Sequence, residues 1–263
     1  MYDHHVKAGN PGDVVKHIGL ISAAAALLQN RTGIFRYADI FAGYAFNPLV
    51  PGGEWQNGIG VVHDLITVPC NPVIQFWRDV LGHARVLEGS LYPGSSIFIR
   101  ELCMRQGVSF NLRLWDISQA VITDLRRAYQ GQDVEIFNRA ANPVDFPNKE
   151  TDLLLIDPPG YQERVPYLGH LLRFFDVVDN VILWLPVTTE NGAETVASLE
   201  SYQECCRRGL SVITVIWGGE RSTRGCRMVF RLSDVAGKAL VAAVDEVAAL
   251  AQWQVRHDIQ TPC

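Results

Sequence analysis

The stretch Leu153-Leu154-Leu155-Ile156-Asp157-Pro158-Pro159 limits this chain more than any other. Its four consecutive aliphatic residues predict a short strand buried on both faces, as in a parallel sheet covered by helices. The two prolines then end it, because proline has no N–H to give a sheet ladder. In an open α/β sheet this sets Asp157 at the carboxyl end of a central strand, the edge where ligands bind. A strand that simply ends in an Asp-Pro turn has the same local signature, since both are ordinary turn residues.

The neighbouring segments supply such a sheet. Ile34 to Gly43 predicts a first strand that passes through Asp39 into a turn at Ala42-Gly43, where small residues let backbone approach a cofactor. Phe110 to Trp115 predicts a second strand ending at Asp116, a carboxylate suited to two ribose hydroxyls. Val134 to Phe137 is a third, followed by a polar loop; Val181 to Pro186, Leu210 to Trp217 and Arg227 to Leu232 complete the set. Helices are expected over Val14–Leu28 with Asp13 as N-cap, Pro72–Leu87, Ser96–Gln106, Ile117–Tyr129, Glu163–Asp176, Glu190–Arg208 and Val235–Trp253. Ser95 suits either a helix cap or a ligand contact, and Pro48 to Gly60 reads as loop. Strands alternating with helices predict one doubly wound α/β domain over residues 1–263, with a small insertion at about 46–91.

Composition narrows the function. The 263 residues carry a net charge of −5 and a pI near 5.8, which argues against a broad basic nucleic-acid surface but not against a local patch. The six cysteines include no C-x-x-C pair, and no His/Cys cluster has zinc spacing, so no metal is expected and free thiols in a reducing compartment are. The amino terminus lacks the basic and apolar regions of a signal peptide, and no apolar run approaches the ~20 residues of a membrane span. A cytoplasmic monomer with no membrane partner is the expectation.

Asp-Pro-Pro is also the core of the signature of amino-methyltransferases. Together with the arm Tyr2-x-His4, Ala8-Gly9-Asn10, Asp13-Val14, Lys16-His17, Asp39 with Ala42-Gly43, Tyr92-Pro93-Gly94-Ser95 and Trp184-x-Pro186, the chain resembles the RlmJ-type adenine-N6 methyltransferases of large-subunit ribosomal RNA. The resemblance spans most of the chain, and its amino-terminal pattern is the most specific part. It implies a Rossmann-like class I methyltransferase fold, with a seven-stranded, mostly parallel sheet and a small helical insertion. It implies S-adenosylmethionine as cofactor, ribosomal RNA as substrate, and transfer to the exocyclic N6 of adenine. Asp157, Pro158 and Pro159 would form the catalytic centre. Lys16, His17, Asp39, Phe41, Gly43, Ser95, Asp116, Ala141, Asn142 and Asp157 would occupy the cofactor positions. Tyr2, His4 and Tyr161 would face the target base.

Several positions depart from that family. Gly160 stands where an aromatic residue would stack on a flipped adenine, with Tyr161 one residue further on. Phe41 replaces a cofactor-contacting histidine, Tyr44-Ala45 replaces Ala-Gly, and Ala141-Asn142 replaces Asp-Gly. Asp116 for Glu is milder, since either carboxylate accepts two hydroxyl hydrogen bonds. The departures leave two other functions open: methylation of a different amine (small molecule, nucleotide or protein), and a non-catalytic binder built on the same fold.

Overall fold

The computed structural model describes residues 4–29, 31–65, 70–83, 90–147, 150–159, 165–218 and 223–260. The chain opens with α1 (His4–Lys7) and α2 (Pro11–Leu28), then β1 (Phe35–Asp39). The next segment holds β2 (Phe46–Pro48), a 3-10 turn at Glu54–Asn57, α3 (Ile59–Leu65), α4 (Pro72–His83) and β3 (Leu91–Pro93). Helix and strand then alternate through α5 (Ser95–Gln106), β4 (Phe110–Asp116), α6 (Gln119–Ala128), β5 (Val134–Asn138) and β6 (Leu153–Ile156). The carboxyl-terminal part contains α7 (Val165–Leu172), β7 (Val181–Glu190), β8 (Ala193–Glu194), α8 (Val196–Arg207), β9 (Ser211–Ile216), β10 (Thr223–Arg231), α9 (Asp234–Leu250) and β11 (Gln254–Asp258).

The main sheet runs in the order β11-β9-β10-β7-β6-β1-β4-β5, with the short β8 folded back on β7. Parallel pairing joins β5, β4, β1, β6 and β7, whereas β10 lies antiparallel to both β7 and β9. Seven strands therefore follow the expected arrangement. An eighth, β11, was not anticipated: the segment after α9 turns at Gln252, whose φ is +57°, and pairs antiparallel with β9. Its residues are mostly polar and partly exposed, so no apolar alternation marks it as a strand.

The central strand shows why its sequence is apolar throughout. Leu153 and Leu155 join one hydrophobic core, and Leu154 and Ile156 join the other. Helices α2, α4, α5, α6 and α9 cover the first face, and α7 and α8 cover the second. Helix α2, 18 residues long, is apolar enough to cross a membrane by length and composition. Within the fold 78% of it is buried, and α9 packs along it, as a helix apolar all round requires.

Other boundaries moved for local reasons. Helix α2 starts at Pro11, not Val14, and its N-cap is Asn10, whose side chain accepts the Asp13 N–H at 2.9 Å. Pro11 occupies the first helical position, where its missing N–H costs nothing. Asp13, freed from the capping role, accepts the Gly9 N–H at 2.9 Å. Gly94 is the N-cap of α5, so Ser95 is its first helical residue. Residues 48–60, expected as loop, include the Glu54–Asn57 turn and the start of α3, and residues 190–195 form the β7–β8 hairpin before α8. The insertion does not stand apart: Ile59, Val62, Ile74, Trp77 and Leu81 are buried in the first core.

Candidate active site

The sheet order reverses between β1 and β6, so the crevice of this α/β sheet opens at their carboxyl ends. Asp39 ends β1, Asp116 ends β4 and Asp157 directly follows β6, which brings three carboxylates from distant sequence to one edge. The turn after β1 is built on two of them, Asp39 and Asp116. Asp39 Oδ1 accepts the Phe41 N–H at 3.1 Å, the Trp115 carbonyl accepts from Ala42 at 3.0 Å, and Asp116 Oδ2 accepts from Gly43 at 3.3 Å. Asp124 of α6 accepts from Ala45 at 2.9 Å. Gly43 has φ +62°, a left-handed conformation that a Cβ would strain, so the single glycine sits where the turn needs it. The turn forms with Tyr44 and Ala45 in the following positions.

A cleft lies on this turn, lined by Asp13, Lys16, His17, Phe41 to Tyr44, Asn47, Tyr92, Gly94, Ser95 and Asp157. Gly94 is obligatory for close packing, because a Cβ there would lie 2.4 Å from the Tyr44 carbonyl oxygen. Along the wall given by α2, Lys16 Nζ donates to Asp13 Oδ1 at 2.7 Å and to Asp157 Oδ2 at 2.5 Å. His17 pairs its Nδ1 with the Tyr92 hydroxyl at 2.7 Å and its Nε2 with Ser95 Oγ at 3.0 Å. Consecutive residues of one helix therefore reach Asp157 and the start of α5.

Burial sets the electrostatics. Desolvation alone would push the Lys16 ammonium down, but Asp13 and Asp157 outweigh it and hold the group well above its ordinary range. Asp39 is pushed up to about 7, chiefly by burial; the Phe41 N–H favours its ionised form, while the charge of Asp157 opposes it. A carboxyl whose folded value lies above its unfolded value binds extra protons in the fold, so its contribution to stability is fully present at low pH. That contribution declines as pH rises from about 4 through about 7. Asp39→Asn is therefore expected to gain stability relative to the wild type between about pH 4.5 and about pH 7.5, read from denaturant unfolding at the two pH values. An unchanged difference would contradict the burial of an ionisable group at this position.

Of the residues expected from the sequence, Lys16, His17, Phe41, Gly43, Ser95 and Asp157 meet in the cleft. Asp39 lies behind the turn and shapes it; Asp116 meets it from β4, its second oxygen accepting the Ser118 N–H at 2.7 Å. Pro158 is buried and Pro159 half-buried directly after Asp157. Ala141 and Asn142 stand apart from the lining residues: Asn142 caps the turn at Pro143–Asp145, and Ala141 packs partly into the second core. Tyr2, Gly160, Tyr161 and the His4 side chain lie outside the described residues.

Three contributors had no site role in the sequence reading: Asp13 and Tyr92 belong to the family pattern but read as a helix cap and part of a turn, and nothing in the sequence marks Asn47. Ile117, next to Asp116, is 77% exposed.

No family model and no curated protein matches the sequence. Among solved structures, a Legionella pneumophila protein described by the family model DUF519 overlays with a TM-score of 0.78 at 17% identity, covering 97% of this chain and 98% of that one. A protein described as an rRNA methylase from Streptococcus thermophilus gives 0.40 at 6% identity over 80% and 94% of the two chains. The N-methyltransferase NodS from Bradyrhizobium japonicum gives 0.41 at 9% identity over 84% and 96%. The chain shares its α/β, mostly parallel fold with the Legionella protein over nearly the whole of both chains.

Proposed function

We propose that this protein is an S-adenosylmethionine-dependent N-methyltransferase that modifies the exocyclic N6 of adenine in ribosomal RNA. The observation that carries the proposal is Asp157-Pro158-Pro159 at the end of β6, with Asp157 fixed by Lys16 at the mouth of a cleft floored by the Gly43 turn. The overlay with a DUF519 protein supports it, since DUF519 is the RlmJ family.

The residues lining and flanking the cleft are chemically matched to the parts of the cofactor. A Cβ built on Gly43 would meet no atom within 4 Å, which leaves open space beside the turn for a ligand to lie against the backbone. Asp116 keeps acceptor capacity beyond its two backbone contacts, enough for two ribose hydroxyls. The exposed Ile117 offers an apolar surface beside that carboxylate for a purine face. The His17, Ser95 and Tyr92 side chains line the wall that would hold the amino-acid end. When bound, S-adenosylmethionine supplies an electrophilic methyl group on a positively charged sulfur.

An amine conjugated to a purine ring is a poor nucleophile, so the protein's task is to prepare it. The Asp157 carboxylate and the Pro158 carbonyl would accept its two N–H bonds and draw the nitrogen towards tetrahedral geometry, with the lone pair directed into the cleft. The Lys16 ammonium holds the carboxylate in place throughout. This is catalysis by position and fixed charge. Asp157 takes the departing proton late.

The test is transfer of labelled methyl from S-adenosylmethionine to unmodified ribosomal RNA, followed by digestion to nucleosides. Label in N6-methyladenosine is expected. Gly160, in place of a stacking aromatic, favours the second possibility, a different amine acceptor. Cofactor binding without any label in RNA would select it.

A further inference from the structure

We propose that Asn47 is a ligand-binding residue of this cleft, and that its carboxamide oxygen accepts a hydrogen bond from the α-ammonium at the amino-acid end of the cofactor. The inference rests on the S-adenosylmethionine assignment above and adds to it a recognition element. Asn47 is the middle residue of β2 and sits opposite Tyr92 of β3 in an antiparallel pair. Both side chains line the cleft. Asn47 is only 4% exposed, and its Oδ1 is buried without a hydrogen-bond partner among the described residues.

That state needs a cause. Buried acceptors without a donor are rare in native proteins, because the hydration they lose is not replaced. The other polar groups of the wall are engaged with one another: Lys16 with Asp13 and Asp157, and His17 with Tyr92 and Ser95. An asparagine kept for the fold alone would bond to a turn or to a neighbouring strand. The Oδ1 of this one, between Phe46 and Pro48, does neither among the described residues. A ligand donor explains it, and the last torsion of an asparagine is soft enough to turn the oxygen towards the open side.

The position of the residue selects the donor. With ribose hydroxyls at Asp116, a ligand crossing the Gly43 turn ends at the wall made by His17, Tyr92, Ser95 and Asn47. Histidine and hydroxyl groups can donate to a carboxylate there. A primary ammonium is donor-only and needs an acceptor, which the unpartnered Oδ1 supplies.

The experiment is calorimetric titration of the wild type, Asn47→Ala and Asn47→Leu with S-adenosylhomocysteine and with methylthioadenosine, which keeps the nucleoside and lacks the amino-acid group. Both variants are expected to bind S-adenosylhomocysteine about 10- to 100-fold more weakly, with methylthioadenosine affinity unchanged within about twofold. The ligand-free Asn47→Leu protein should melt no lower than the wild type, because the substitution removes an unpartnered polar group at similar volume. Unchanged S-adenosylhomocysteine affinity in both variants would overturn the inference while leaving the cofactor assignment standing. Equal weakening of both ligands, or a lower melting temperature, would make Asn47 a structural residue and also overturn it. A wild type that binds neither ligand would remove the cofactor assignment, and the inference with it.

Discussion

Asp157→Ala is expected to lower methyl transfer by roughly 10²–10³-fold or more, the cost of losing a fixed group aimed at the reacting atom. The fold should survive. Asp157 follows β6, the strand itself is held by its ladders to β1 and β7, and the side chain is 21% exposed. Lys16 also keeps Asp13 as a partner in the variant. The check is the initial rate of transfer beside a far-ultraviolet spectrum and melting curve. Asp157→Asn refines it, because the amide keeps an acceptor oxygen and loses the charge. An Asn variant close to Ala in rate assigns the effect to the carboxylate's charge; one close to wild type assigns it to positioning alone. Full activity in Asp157→Ala would remove the proposed centre.

The second large effect is on stability. Lys16→Met would leave Asp13 and Asp157 facing the same buried space without their shared cation, with side-chain exposures of 12% and 21%. Breaking a buried pair by removing one partner costs about 3–5 kcal/mol. Denaturant unfolding should show a loss of that order, and Lys16→Met with Asp157→Asn should recover part of it, because the second change removes one uncompensated charge. The pH dependence has a definite sign. The Lys16 value is raised in the fold, so its contribution is fully present below the ordinary lysine value of 10.5. It is lost only as pH rises through the higher folded value. The wild type should thus keep this contribution through neutral pH and lose it at the alkaline end. A Lys16→Met protein as stable as the wild type would show that solvent already compensates the carboxylates.

What the sequence disclosed follows from burial. Strands β6 and β7 are enclosed by helices, and enclosure requires runs of apolar residues such as Leu153–Ile156. Strands β1 and β4 mix polar and apolar residues and were legible from their apolar positions and the carboxylates at their ends. Asp39, Asp116 and Asp157 were legible by their place at the carboxyl ends of these strands, the edge where an open α/β sheet binds ligands. Strand β11 gave no signal because an edge strand, partly solvated, needs no apolar pattern. Strands β2 and β3 are three residues each and exist through their pairing, which sequence proximity does not reveal. The lysine bridge between Asp13 and Asp157 joins residues 141 and 144 positions apart from the central carboxylate, a closure only the folded chain can display. Lys16 itself was visible only through a family pattern, and Asn47 through none. The three-residue shift of the α2 start shows a rule misapplied: Asn10-Pro11 already carried the cap and the first-turn proline.

On this proposal the edge formed by the Gly43 turn, Asp116 and Asp157 holds S-adenosylmethionine. Calorimetric titration with S-adenosylhomocysteine, the chemically stable product, tests it most directly. One-to-one saturable binding in the wild type, abolished by Asp116→Ala in a protein that melts normally, is the expected result. Absence of binding in a well-folded wild type would contradict it, and would mark Phe41, Tyr44 and Gly160 as changes in a fold put to another use.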